Sequence, residues 1–253
     1  MIAMLTHSER AQFAHALCQR MVSRYQGKIL IGGVYGSTAR GTDTPWSDLE
    51  MWFVTMDGCQ ARGQHLLYRE TAVGYRVYQR SDLEEILTTP SIRWPFHMGV
   101  LSELQPLHGD PATIRAWIDL GKSIQLKDFI VALESILPDL VVESHGRIHS
   151  SLERRDSHTL FPHVFEMLFE MLTALCLLNR RWVTRDYYPG LEQSFEFAKL
   201  PDGYQEIIPI LYEARDPDLT LELADRLVAS YWDLLIQEGV RIPNYQDLAE
   251  IAV

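Results

Sequence analysis

Gly36-Ser37-Thr38-Ala39-Arg40-Gly41-Thr42-Asp43-Thr44-Pro45-Trp46-Ser47-Asp48-Leu49-Glu50 joins two apolar runs. Lys28 to Tyr35 leads into it and reads as a strand ending in a Gly-Ser turn. Met51-Trp52-Phe53-Val54 follows and continues a second strand that the two acids open, over Asp48 to Thr55. Residues i and i+2 of a strand face the same way, so Asp48 and Glu50 project together. Two neighbouring carboxylates repel unless a cation lies between them. Mg²⁺ takes such oxygens and shares itself with substrate phosphates. The Gly-Ser turn would offer those phosphates backbone N–H groups and a hydroxyl. An Asp-x-Glu by itself often marks a solvated strand edge. Joined to the turn at this spacing, it reads as a metal and phosphate site.

Outward from this stretch, the periodicity changes once. Ser8 to about Gln26 predicts a helix, with Ser8 as cap and Phe13, Leu17, Met21 and Tyr25 recurring every four residues. His65 to Glu70 and Tyr75 to Arg80 flank a link containing Gly74 and predict a hairpin. Ser81-Asp82-Leu83-Glu84-Glu85 opens a helix with capping-box character that ends near Pro90, and Val100 to Leu107 supplies another strand. From Asp110 onward helical patterning dominates. Pro111 stands near a helix start, with Ile114, Trp117, Ile118 and Leu120 as its apolar face. Lys127 to about Ser151 reads as one helix kinked by Pro138. Phe161 to Asn179 is apolar nearly all round and predicts a central buried helix. Val183 to Gly190 reads as a loop, and 204–214 and 218–238 as two more helices. The fold class is α+β: a domain over 1–124 with a mixed β-sheet flanked by helices, then a helical-bundle domain over 125–253.

Acids outnumber bases to a formal net charge of −11. Such a balance disfavours nucleic acid, whose affinity comes mainly from Lys and Arg, and favours cationic ligands. Cys18, Cys59 and Cys176 are widely spaced and form no CxxC pair, which excludes a disulfide framework or a cysteine zinc site. No signal peptide is evident, and no segment reads as long and apolar enough to span a bilayer. A cytoplasmic protein with no membrane partner is the expectation. His145 and His149 lie four apart on a predicted helix, a spacing that can hold a metal, but no third ligand is evident.

A Gly-Ser followed about ten residues later by Asp-x-Glu resembles the signature of the nucleotidyltransferase superfamily that includes DNA polymerase β. The strings Gly33-Val34-Tyr35-Gly36-Ser37 and Ser47-Asp48-Leu49-Glu50-Met51 resemble more closely the aminoglycoside 4′-O-nucleotidyltransferase family, typified by the kanamycin-modifying enzyme. Gly121-Lys122-Ser123-Ile124, Phe129, Thr159-Leu160-Phe161-Pro162 and Leu200-Pro201-Asp202-Gly203-Tyr204 extend the likeness. It implies transfer of AMP from Mg²⁺-ATP, or another nucleoside triphosphate, to the 4′-hydroxyl of an aminoglycoside antibiotic. It also implies a homodimer with active sites at the subunit interface. Asp48 and Glu50 would hold Mg²⁺. Gly36, Ser37 and Ser47 would meet phosphate oxygens, and Arg40 would face the triphosphate.

An ungapped alignment with that family from Lys122 through Arg147 assigns the general base to Glu143 and a phosphate-binding cation to Arg147. The i, i+4 spacing puts both on one helix face, although a Glu–Arg pair at that spacing is commonly a solvated surface pair. Arg147 stands where the family member has Lys. It keeps the charge and adds a planar fork suited to phosphate. A second departure concerns the drug site. The family's Trp-Lys-Val-Glu-Val is here Tyr75-Arg76-Val77-Tyr78-Gln79, so Tyr78 replaces a carboxylate, and Glu70 or Asp82 would have to compensate. Two rival readings remain: a nucleotidyltransferase of the same fold acting on a lincosamide or a protein, and a catalytically silent nucleotide-binding module.

Overall fold

A computed structural model describes residues 4–137, 140–242, 244–247 and 249. The chain divides into two compact units, one of Met1–Thr89 with Phe96–Ile124, the other of Pro90–Pro95 with Gln125–Val253.

The first unit opens with helix α1 (His7–Arg24). Thr6, not Ser8, caps it: the Thr6 hydroxyl accepts the Glu9 N–H at 3.3 Å while the Glu9 carboxylate accepts the Thr6 N–H at 2.9 Å. Thr6 wins because Glu9 lies three residues beyond it, which closes a capping box. Strand β1 (Ile29–Tyr35), the short helix α2 (Gly36–Arg40) and strand β2 (Leu49–Thr55) follow. Next come the hairpin β3 (Gln64–Tyr68) and β4 (Thr71–Gln79), α3 (Arg80–Thr88), α4 (Trp94–Glu103), β5 (Gln105–His108) and α5 (Pro111–Lys122). The five strands form one mixed sheet in the order β3-β4-β2-β1-β5. β2 runs parallel to β4, and every other neighbouring pair is antiparallel.

Three local expectations need correction. The hairpin turns at Arg69-Glu70, both at positive φ, while Gly74 lies inside β4 opposite His65. The alternation of Val73, Tyr75 and Val77 carries the strand straight through the glycine. Second, Val100–Glu103 belongs to α4, and only Gln105–His108 is strand. Short apolar runs fit either element, and length alone does not separate them. Third, α3 has no side-chain cap of its own. Asp57 from the β2–β3 connection accepts the Ser81 N–H at 2.9 Å instead.

Register divides the sheet into two faces. On one, Val34, Leu49, Met51, Phe53, Val73 and Tyr75 bury against Ala14, Cys18 and Met21 of α1. The other carries rows of directly opposed residues, Tyr35–Glu50–Gly74 and Gly33–Trp52–Arg76. The acids therefore project away from the α1 core.

The second unit is helical: α6 (Leu126–Ile136), α7 (Val142–Glu153), α8 (Ser157–Asn179), α9 (Tyr187–Ser194), α10 (Tyr204–Glu213) and α11 (Pro217–Gln237). The single kinked helix expected over 127–151 is two helices, with Val141 at φ 68 entering the second. Pro138, the expected kink, lies outside the described residues. The loop expected over 183–190 is shorter, because α9 starts at Tyr187. α8 is long and apolar enough by length and composition to cross a membrane, contrary to the sequence reading, but 56% of its apolar window is buried inside the fold. Leu160, Val164, Met167, Leu168, Met171 and Leu175 make it the core helix of this unit.

Candidate active site

Asp48 immediately precedes β2 and is exposed, Leu49 is fully buried, and Glu50 is half-buried. The leucine anchors the strand start on the core side, so the two carboxylates emerge on the opposite face. No ion pair engages Asp48 among the described residues. Across the β1–β2 ladder, Glu50 stands opposite Tyr35, whose hydroxyl hydrogen-bonds to its carboxylate. Burial pushes the Tyr35 phenol well above its ordinary value, and the Glu50 charge raises it further.

Gly36 begins α2 at φ +69, and a Cβ placed there would lie 2.5 Å from Glu50 Oε2. Only glycine tolerates that backbone at no cost and lets the turn approach the carboxylate so closely. Ser37 is half-buried in the first turn of α2. Thr38, beside it, is buried, and its hydroxyl has no hydrogen-bond partner among the described residues. Such a group costs about 1–3 kcal/mol unless something satisfies it, so it marks the turn as a place for a polar ligand. Arg40 closes α2 and forms an ion pair with Glu103 at the end of α4. Oxygen-only donors on one face, an approach that excludes any side chain at Gly36, and an orphaned hydroxyl in the turn fit a hard cation with phosphate.

The loop between α2 and β2 is held from behind. Arg10 of α1 is 1% exposed and donates to Asp43 Oδ2 at 2.7 Å. It also donates to the carbonyls of Thr44, Pro45 and Ser47, at 2.7, 3.1 and 3.1 Å. The Ser47 hydroxyl accepts the Thr44 N–H at 2.9 Å, which closes a tight turn before Asp48. Arg10 belongs to no motif, and the signal of its role in the sequence is its phase with Ala14, Cys18 and Met21 on the buried stripe of α1.

Tyr78 and Glu70, the two drug-contact candidates, are not brought together. Tyr78 lies on the Glu50 face, packs on Trp52 with ring centroids 4.9 Å apart, and meets His97 Nε2 at 3.2 Å. Glu70 is exposed in the β3–β4 turn, eight residues earlier, or roughly 26 Å along an extended strand. Arg76, between them on the same face, stacks over Phe96 at 5.1 Å. Asp82 is exposed on α3.

In the second unit, Glu143 occupies the first turn of α7 and is 61% exposed. Arg147 donates to Glu143 Oε1 at 2.5 Å and, through its other nitrogen, to both oxygens of Glu166 at 3.0 Å. His163 meets the same Glu166 at 3.3 Å. Burial raises the Glu166 carboxyl, but the hydrogen bonds from Arg147 and His163 outweigh it and hold the group below its ordinary value. The start of α7 is fixed by Glu170 of α8, which accepts the Val141 N–H at 2.8 Å and the buried Ser144 hydroxyl at 2.5 Å. Val141 at positive φ is a strained β-branched residue, so α7 does not begin where backbone preference alone would put it. Glu166 and Glu170 carry no sequence signal of this role, being two polar positions on an apolar helix.

No protein-family model matches the chain. Aminoglycoside nucleotidyltransferases (4′) from Staphylococcus aureus and from a Bacillus species are each 24% identical to it over 207 residues, 80% of this chain and 80% of theirs. The crystal structure of a nucleotidyltransferase-like protein from Exiguobacterium sibiricum superposes with a TM-score of 0.50 at 11% identity, covering 88% of this chain and 75% of that one. The mixed sheet flanked by helices is thus the α+β fold of that neighbour. The chain is similar to aminoglycoside nucleotidyltransferases (4′), and on that likeness it is an enzyme of the nucleotidyltransferase class.

Proposed function

We propose that this protein is an aminoglycoside 4′-O-nucleotidyltransferase that transfers AMP from Mg²⁺-ATP to the drug's 4′-hydroxyl. The observation that carries the reading is the pair Asp48 and Glu50 flanking buried Leu49, set against the Gly36 turn, in a chain whose relatives bear that name. Asp48 and Glu50 would hold the metal, whose chemistry is to neutralise phosphate charge. Ser37 and Ser47 hydroxyls meet non-bridging oxygens, and Arg40, now paired with Glu103, turns to the triphosphate when nucleotide binds. Glu143 takes the proton from the 4′-hydroxyl, whose oxygen bonds to the α-phosphorus as the bond to pyrophosphate breaks. Arg147 balances phosphate charge beside it.

The acidic chain, at −11, suits a polycationic substrate. Its three cysteines are free and buried, which suits a reducing cytoplasm. A homodimer with shared active sites belongs to the same reading, and light scattering of the purified protein tests it.

The decisive experiment incubates the protein with ATP, Mg²⁺ and aminoglycosides with and without a 4′-hydroxyl, and follows pyrophosphate and drug mass. Kanamycin, tobramycin and amikacin gain AMP, and gentamicin, which lacks the 4′-hydroxyl, does not. AMP on a 4′-deoxy drug overturns the assigned position. AMP on no aminoglycoside favours a lincosamide or protein acceptor, a reading to which the uncharged Tyr78 on the Glu50 face also points.

A further inference from the structure

The face of α7 opposite Glu143 and Arg147 carries a second cluster. His145 and His149 stand one turn apart, ring centroids 4.9 Å from each other at 79°. Asp225 of α11, 80 and 76 residues away in sequence, puts one oxygen between them: Oδ1 is 2.7 Å from His145 Nε2 and 2.8 Å from His149 Nε2. This is the third ligand that the sequence reading found lacking. Only the packing of α11 against α7 supplies it. The donor atoms of all three side chains lie within 4.8 Å of one another.

We propose that His145, His149 and Asp225 bind a first-row transition-metal dication of the zinc type, clamping α7 to α11. Two imidazoles and one carboxylate are the donor set such ions prefer over Mg²⁺. Both histidines turn Nε2 to the same point, as i, i+4 ligands on a helix do. With bonds of about 2.0–2.1 Å, a tetrahedral ion keeps its donors roughly 3.3 Å apart. The carboxylate therefore has to withdraw by about half an ångström, which its 45% side-chain exposure permits. His145 is 22% and His149 45% exposed, so water can complete the coordination shell. The site shares no residue with Asp48, Glu50, Glu143 or Arg147, and it does not depend on the proposed reaction.

The test uses the full chain, stripped with chelator and held in excess Mg²⁺ so that oxygen-only sites are filled. Zn²⁺ is titrated by calorimetry, and Co²⁺ by its visible absorption. The wild type binds one equivalent at this site and melts at a higher temperature with Zn²⁺. Asp225→Asn and His145→Gln/His149→Gln weaken Zn²⁺ by more than the about 10–100-fold that losing a mere supporting partner brings, and lose the melting shift. His158→Gln, a histidine outside the cluster, changes neither. If Asp225→Asn fails to fold by circular dichroism, the partly exposed His149→Gln carries the test. A wild type that binds no Zn²⁺, or a double-histidine variant that binds it as tightly as the wild type, overturns the proposal.

Discussion

The Arg10 guanidinium donates to Asp43 across 2.7 Å with both side chains 1% exposed, and the same guanidinium gathers three carbonyls of the loop that ends at Asp48. Removing Arg10 takes the donor from three carbonyls and leaves Asp43 with His7 as its ion-pair partner, and breaking a buried pair costs about 3–5 kcal/mol. Arg10→Met is expected to lose that much stability in urea denaturation. Arg10→Lys keeps the charge but lacks the fork, so it recovers only part. A loss below about 1 kcal/mol, the range of exposed pairs, would show that the loop is held by other contacts.

Asp43 also sets an acid limit. Burial raises its carboxyl, but hydrogen bonds from His7 and Arg10 outweigh this and lower it from its ordinary 3.8. The folded form therefore takes up its proton less readily than the unfolded chain. Its contribution to stability is complete above 3.8 and is lost as pH falls through the lower folded value. Melting temperatures measured between neutral pH and about pH 2 should fall at the acid end, and Asp43→Asn should fall less steeply there. An unchanged acid slope in that variant would assign the limit to other carboxylates, such as Asp225.

Asp48→Asn should remove Mg²⁺-dependent turnover and leave stability within about 0.5 kcal/mol, as expected of an exposed side chain. Glu50→Gln should likewise abolish turnover. Its melting temperature also reports the weakened Tyr35 hydrogen bond. Near-wild-type turnover in either variant contradicts a metal role for the pair.

Glu143→Gln should lose about 10²–10⁴-fold in kcat, the usual contribution of a positioned base, while nucleotide binding persists. Arg147→Lys should keep most activity. Arg147→Ala, which removes the partner of Glu143 and leaves Glu166 with His163, should raise KM for ATP or lower kcat by at least about tenfold. Equal kcat in wild type, Glu143→Gln and Arg147→Ala would return the pair to an ordinary helix surface.

Glu170→Ala leaves the Val141 N–H without its acceptor, while the Ser144 hydroxyl keeps the Val141 carbonyl at 3.2 Å. At about 1–3 kcal/mol for an unsatisfied buried group, the variant should lose about 1–3 kcal/mol. Hydrogen exchange should show the loss first in the opening turn of α7. Uniform protection there would show that Glu170 does not fix the helix start.

Local sequence determined a good deal. Glycine at 36, Leu49 between two acids, and the four-residue spacing of 143 and 147 fix what each segment can do, because strand alternation and helix pitch are properties of the backbone. The central apolar helix and the strands on either side of the Gly36 turn were legible for the same reason. Tertiary structure decided the rest. It made Val100–Glu103 helix and moved the hairpin turn to Arg69-Glu70. In each case neighbouring elements settled between local options of similar energy. It separated Tyr78 from Glu70 through strand length and gave Arg40 its partner Glu103. It also brought Asp225 to two histidines nearly eighty residues earlier. No local pattern encodes such a meeting, because it follows from how two helices pack, and packing depends on side chains distant in sequence.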